Sequence, residues 1–320
     1  MIASYSARLA ILCLASFFLI HLVLGLLSLG LSSWLTRASR SMRPYWVSKI
    51  SIALRLTPAC LSILIVMVVC VPSYLRYEGN VATEEIGLLC LVPACLGFII
   101  CLIAITKAAY AMVRSTLLTQ KLHITDDSGS WYLNKEVDEL PSMGLVGLFK
   151  SRVVVSPSVL KTLTPEQFQA ALDHEHAHRS SGDNLKRLLI LLSPNLFPFI
   201  RSFRALENLW ERSAELSADD LATRGQPRRS IALAEALIKL ARRETNEISH
   251  PLVSGLFAAP DGLAIRVERL LQPEPAAEIR PSFRMLILPG LSVLLISNAL
   301  ALPQLHIFQS VYALLESLLR

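Results

Sequence analysis

Charge is what most of this chain lacks. Only 18% of its 320 residues are Asp, Glu, Lys or Arg, where a soluble domain carries about a quarter. The deficit is segmental: residues 9–36, 56–75, 86–106 and 285–315 contain none of the four. Each run can cross about 30 Å of hydrocarbon, for which ~20 apolar residues suffice. The first also exceeds the length of a signal-peptide apolar core, so it reads as a retained span. A wholly soluble protein is excluded.

Cysteine is missing from everything after residue 101. All six (Cys13, Cys60, Cys70, Cys90, Cys95 and Cys101) lie in the apolar runs, without metal-ligand spacing. They read as packing residues, which removes both a disulfide framework and a thiolate metal site. Acids are missing from residues 37–55, which hold Arg37, Arg40, Arg43, Lys49 and Arg55. The next connection mixes Arg76 with Glu78, Glu84 and Glu85, and Lys107, Arg114 and Lys121 follow the third run. Lys and Arg stay on the cytoplasmic side, so the first loop and all that follows the third span are expected in the cytosol, with the N-terminus outside. These juxtamembrane residues supply most of the net charge of +6, and no direct nucleic-acid binding is implied. His21 stands alone in the first run and reads as packed.

The expected organisation is therefore three transmembrane helices in 1–118 (about 9–36, 50–75 and 86–112), a cytosolic unit at 119–280, and a membrane-returning end at 281–320. That end would hold a fourth span near 285–303 and a further apolar helix. The cytosolic unit is long enough for a real core. It opens with strand-like pieces at 121–125 and 131–135 around the turn signal Asp126-Asp-Ser-Gly129, and a second pair follows at 144–149 and 152–156. The last of these, Arg152-Val-Val-Val-Ser156, is either sheet core or an edge strand that pairs with an extended substrate. The uncharged run 188–200, broken by Pro194 and Pro198, is too short to span; it is either a tip dipping into the membrane surface or a buried turn.

What the cytosolic unit does contain is Ala171-Leu-Asp-His-Glu-His-Ala-His-Arg179. Thr164-Pro165-Glu166-Gln167 supplies a helix cap, a proline at the first helical position and a capping-box glutamine. On that helix His174 and His178 fall about 40° apart on one face, where one metal ion can take both. Glu175, within the His-Glu-x-x-His pattern, is placed to act on a water at that metal. His176 lies about 200° round from His174 and reads as a surface residue. Two neutral nitrogen donors suit zinc, and a catalytic zinc needs a third protein ligand. Downstream, Glu207, Glu211, Glu215 and Asp219 recur at four-residue steps on a second helix face. Four acids of one sign repel one another, and a bound dication accounts for at least two of them. This chemistry does not choose between Glu211 and Glu215. A Ser-x-x-Lys pattern at Ser158-Val-Leu-Lys161 is a chance match, because no Ser-Asp-Asn or Lys-Thr-Gly partner follows it.

His174-Glu-His-Ala-His178, then Gly182-Asp183, then Glu215-Leu-Ser-Ala-Asp219 resembles the gluzincin membrane peptidases. The flanking Gly147-Leu-Phe-Lys-Ser-Arg-Val-Val-Val-Ser-Pro157, Leu163-Thr-Pro-Glu-Gln-Phe168, Ala232-Leu-Ala-Glu-Ala-Leu-Ile-Lys-Leu240 and Arg266-Val-Glu-Arg-Leu-Leu271 are more similar to the BlaR/MecR-type antirepressor branch than to the HtpX/CAAX-protease type. The resemblance covers about residues 140–272. It implies a mostly α, multi-pass helical membrane protein with an inserted α+β, zincin-like metallopeptidase domain in a bacterial cytoplasmic membrane. It also implies one Zn2+ per chain held by His174, His178 and Glu215, with Glu175 as the catalytic base and Asp219 and Asp183 bracing ligand histidines. The implied substrate is a protein or peptide, foremost a cytosolic DNA-binding repressor, and a homodimer is compatible with it. The rival expectations are membrane-protein quality control and a non-catalytic zinc-bearing signalling scaffold. Sensor members of the family carry a drug-binding domain after the last span, and so little follows the fourth run here that direct β-lactam sensing is not expected.

Overall fold

Three helices dominate the computed structural model, which describes residues 5–77, 87–121, 124–127, 130–133, 143–148, 151–196, 201–242, 254–255, 262–272 and 306–319. Helix α1 covers Tyr5–Ala38 and leads through a short turn, Ser39–Ser41, to α2, Pro44–Ile65. Pro44 opens α2 at a position where its missing N–H costs nothing. The helix runs on through a π-helical stretch, Val66–Cys70, into α3, Val71–Tyr77. Helix α4 covers Leu88–Lys121.

The membrane candidates Tyr5–Ser41, Pro44–Tyr77 and Leu88–Gln120 are 37, 34 and 33 residues long. Crossing hydrocarbon takes about 20 residues, so each exceeds the expected span by several turns. The difference corrects the reading of 37–55 as a loop. Only the turn at 39–41 and Met42–Arg43 separate α1 from α2, and both Lys49 and Arg55 are helical. A span bounded by where charge disappears stops short wherever the helix continues as part of a folded domain.

The three helices pack closely. A Cβ on Gly97 of α4 would lie 2.7 Å from the Leu14 carbonyl oxygen of α1, so glycine sets that approach. Leu12, Ala15, Val66, Cys70, Tyr74, Cys90 and Ala94 are buried together, and the C-terminal helix His306–Leu319 adds Leu315 to this cluster. That helix therefore lies against the bundle. The fourth span expected near 285–303 lies outside the described residues.

The remaining elements form an α+β unit. A five-stranded sheet has the order β1-β2-β4-β3-β5, from Ile124–Asp127, Ser130–Leu133, Met143–Val146, Arg152–Val155 and Ser254–Gly255. Strands β1 and β2 are antiparallel, as are β3 and β4, which matches the two expected pairs. Strand β4 also pairs in parallel with β2, Val154 opposite Trp131. The reading of 152–156 as an edge that takes substrate is thereby corrected: both sides of β4 are hydrogen-bonded, and Val153, Val154 and Val155 are buried. Three consecutive valines look alike at an edge or a centre; a strand covered on both faces needs no polar alternation.

Helices follow: α5, Pro157–Thr162; α6, Pro165–Ser181; α7, Asp183–Leu192; α8, Arg201–Thr223; α9, Pro227–Ala241; and α10, Leu263–Leu271. The capping box that starts α6 is complete, with Gln167 N donating to Thr164 Oγ1 and Thr164 N donating to Gln167 Oε1. Gly182 ends α6 in the left-handed region (φ 67°), which a glycine enters without steric cost. The same residue begins α7, so the chain turns sharply after the metal motif. Met143, Leu145, Val153 and Val155 of the sheet bury against Ala170 and Ala171 of α6, Leu233, Leu237 and Leu240 of α9 and Leu270 of α10.

Helices α7 and α8 join the two parts. Leu188 buries against Ala108 and Ala111 of α4. Ile190 packs with Ile52 of α2 and with Trp210 and Ala214 of α8. The described part of the run 188–200 is docked on the long helices with Leu189 and Leu192 exposed, and residues 197–200 lie outside the described set. His21 is also more than packing. It stacks on Phe17 at 5.4 Å between ring centroids, and its Nε2 lies 3.1 Å from the Pro194 carbonyl oxygen.

Candidate metal centre

Helix α6 presents His174 and His178 one turn apart, their rings edge to face with centroids 4.7 Å apart. Helix α8 crosses them with Glu215. The two Nε2 atoms are 3.1 Å apart, Glu215 Oε2 is 3.5 Å from His174 Nε2, and Glu215 Oε1 is 3.5 Å from His178 Nε2. A tetrahedral ion with arms of about 2.0–2.1 Å separates its ligand atoms by about 3.4 Å. The three donors therefore already stand at the spacing of one ion's coordination shell, and they form a candidate metal group within 4.8 Å.

Carboxylates fix how the rings present themselves. Asp183 Oδ2 sits 2.6 Å from His178 Nδ1, and Asp219 Oδ1 sits 3.0 Å from His174 Nδ1. Asp183 orients His178 through a hydrogen bond at Nδ1, which turns Nε2 inward, whereas Asp219 lies at ion-pair distance from His174 Nδ1. The facing Nε2 atoms, 3.1 Å apart, can share a proton or hold a metal ion between them. The acids Asp183, Asp219, Glu211 and Glu215 were all sequence candidates; the fold brings together Asp183, Asp219 and Glu215. Glu211 is only half-buried and stands outside the metal group, with burial raising its carboxyl pKa. Glu207 is engaged elsewhere, by Arg55 at 2.8 Å. His176 is half-buried and outside the group, as expected.

Arg266 of α10 is the residue that sequence reasoning missed. Its side chain is buried; it donates from Nε and Nη2 to Asp219 at 2.9 and 2.7 Å, and its Nη1 forms an ion pair with Glu215 Oε2 at 2.8 Å. Nη2 also lies 3.4 Å from His174 Nε2. Arg269 ties the same helix to α8 through Asp220 and the Leu216 carbonyl. The available signal was the acid count: a buried acidic stripe requires a buried cation as well as a metal.

The electrostatics point one way. Burial raises the Asp219 and Glu215 carboxyls, but Arg266 and the imidazoles outweigh it, holding Asp219 at about 2 and Glu215 well below the usual carboxylate range. Burial pulls the His178 imidazole down, yet Glu215 and Asp183 beside it carry it up to about 10; His174 is raised through Asp219 and Glu215 against the same burial. In the metal-free protein the cluster thus draws protons into a space where the carboxylates require positive charge. Glu175 differs: burial is the largest influence, and its pKa is raised. Both its oxygens are fully enclosed and find no hydrogen-bond partner among the described residues. Asp183, Glu215 and Asp219 meet two fixed cations, Arg266 and Lys186. With the imidazoles neutral the group keeps an excess of negative charge, so the residues present fit a cation.

No protein-family model, curated protein or solved structure matches the chain.

Proposed function

We propose that the chain is an integral-membrane zinc endopeptidase. The observation that carries this reading is the buried, partnerless Glu175 carboxylate on the same turn as His174 and next to the three-donor group. A site serving only to hold metal has no use for it, since burying an unpaired carboxyl costs several kcal/mol.

His174, His178 and Glu215 would hold the ion, and borderline-soft imidazole with carboxylate suits zinc. When bound, zinc supplies Lewis acidity toward the scissile carbonyl and lowers the pKa of a water to about 7. The chain's own residues do the proton work. Glu175, raised by burial, takes a proton from the attacking water and returns it to the leaving amine nitrogen. Asp183 keeps the His178 Nδ1 proton in place, so that its Nε2 donor stays directed inward, and Asp219 faces His174 Nδ1. Arg266 holds Glu215 and Asp219 in position and neutralises part of their charge.

Arg37, Arg40 and Arg43 at the α1–α2 turn support a cytosolic active site by the positive-inside rule. A cytosolic DNA-binding repressor is the substrate that best fits that side and the flanking motifs. Docking of α7 on α4 and α2 favours a second reading, quality control of substrates presented at the bilayer, because it holds the site beside the spans. Cells expressing wild type or Glu175→Gln separate the two. Wild-type-dependent new termini in a soluble repressor support the first; new termini confined to membrane proteins support the second; no difference in either proteome rejects the peptidase. Single-cysteine labelling tests the side: the 150–270 region should be shielded from impermeant reagent in intact cells.

A further inference from the structure

The polar and apolar sides of α7 are reversed. At about 100° per residue, Leu185, Leu189 and Leu192 share a sector about 60° wide. All three are exposed, at 38, 40 and 41% of their surface. The charged and amide residues of the helix turn towards the protein. Asp183 reaches His178 at 2.6 Å, and Asn184 is buried with its amide donating to the Leu145 and Gly147 carbonyls. Arg187 lies over the Trp210 ring at 5.8 Å with its Nε enclosed, and Lys186 bends back to Asp183 at 2.7 Å. A helix that faces water has the opposite arrangement, with its polar residues outward.

The level at which α7 docks identifies the medium that these leucines meet. Leu188 buries against Ala108 and Ala111 of α4. Those alanines lie between Lys107 and Arg114, the first cations after the uncharged run 86–106. Tyr110, on the same stretch, is exposed, and tyrosine is enriched where a span meets the headgroups. On another flank Ile190 packs with Ile52, inside a second membrane candidate. The leucines thus stand where α4 leaves hydrocarbon, and they are as exposed as Leu91 and Leu96 of α4 itself, at 39 and 42%.

We propose that α7 is an interfacial helix whose Leu185, Leu189 and Leu192 enter the acyl boundary of the bilayer, on the leaflet that the arginine-rich α1–α2 turn marks as cytoplasmic. Asp183 opens the same helix and holds His178, so the bilayer sets the height of the candidate metal centre. Neither bound metal nor peptidase activity is needed for this seat.

The test places benzoylphenylalanine at Leu185, Leu189 or Leu192, one at a time, in the full chain reconstituted into liposomes of phosphatidylethanolamine and phosphatidylglycerol. Irradiation couples the side chain to a C–H bond that it touches, and intact-protein mass spectrometry reads attached phospholipid. Leu96 of α4 is the positive control, and Ile231 of α9, 48% exposed, is an apolar side chain away from α7. Each α7 position should give a phospholipid adduct at a yield like that at Leu96, with none at Ile231. Fragmentation should place the attachment on the glycerol or the upper acyl carbons, since an interfacial helix lies about 5–10 Å into that boundary. Melting temperatures identify the variants that fold, and each of those is read on its own. A folded α7 variant that stays free of lipid, cross-linking to a second copy of the chain instead of lipid, or an equal adduct at Ile231 overturns the proposal.

Discussion

Helix α8 is clamped by a buried arginine at two places eight residues apart, and the clamps differ in what they leave unanswered. At the first, Arg55 of α2 donates from Nε to Glu207 at 2.8 Å and from Nη1 to Ser193 Oγ at 2.7 Å. Glu207 keeps 29% of its side-chain surface exposed, so water shares the work. At the second, Arg266 meets Glu215 and Asp219, whose side chains are 5% and 2% exposed, and the same acids also face His174. The first clamp pairs one acid with one cation and fastens α8 to a candidate membrane helix. The second gathers a carboxylate and two imidazoles that could hold a metal ion. A buried arginine alone does not mark a functional site; the donor group beside it does.

The widest separation between the two clamps should appear in metal content. Glu215→Ala should strip the metal, whereas Glu207→Ala and Glu211→Ala should keep about one equivalent, read by elemental analysis of the purified protein. Retention of metal in Glu215→Ala with loss in Glu211→Ala would reassign the third ligand. Within the metal clamp, Glu175→Gln should keep the ion and lower turnover about 10²–10⁴-fold, the usual contribution of a positioned base. Full activity in that variant would remove Glu175 from the mechanism.

Stability sharpens the comparison further. Arg266→Ala strands two buried carboxylates and should cost about 3–5 kcal/mol in metal-free protein. Glu207→Ala leaves Arg55 its Ser193 bonds and should cost about 2 kcal/mol. Comparable losses of thermal stability would show that the clamps are equivalent after all. A comparable effect is expected away from both: Gly97→Ala forces α1 and α4 apart against the Leu14 carbonyl, at about 1–3 kcal/mol. No shift in melting temperature would mean that the pair separates freely.

Parts of this architecture were legible because they depend on residues near in sequence. The α6 cap, the i,i+4 histidines and the two strand pairs follow from local chemistry and period. The parts that were not legible share a cause. Lys49 looked like a loop charge because a helix that continues beyond its apolar stretch gives no local sign of doing so. Arg152–Val155 looked equally suited to an edge or a centre, since its neighbour β2 lies more than twenty residues upstream and pairs in parallel. Arg266 lies about fifty residues beyond Asp219, and nothing in an amphipathic nine-residue helix marks which arginine turns inward.

By itself the sequence determined the apolar helices, the cap that starts α6 and the pair of imidazoles on one face of it, because each is set by hydrophobicity, backbone geometry or helical period within a few residues. The family resemblance already implied Glu215 over Glu211, and the tertiary structure places the Glu215 carboxylate 3.5 Å from both histidines. It also decided that Asp183 and Asp219 take opposite Nδ1 atoms, and that Arg266 arrives as their counter-charge. Those choices depend on the rotation of α8 and the approach of α10 across a packed core, where a turn of about 100° per residue separates a ligand from a bystander.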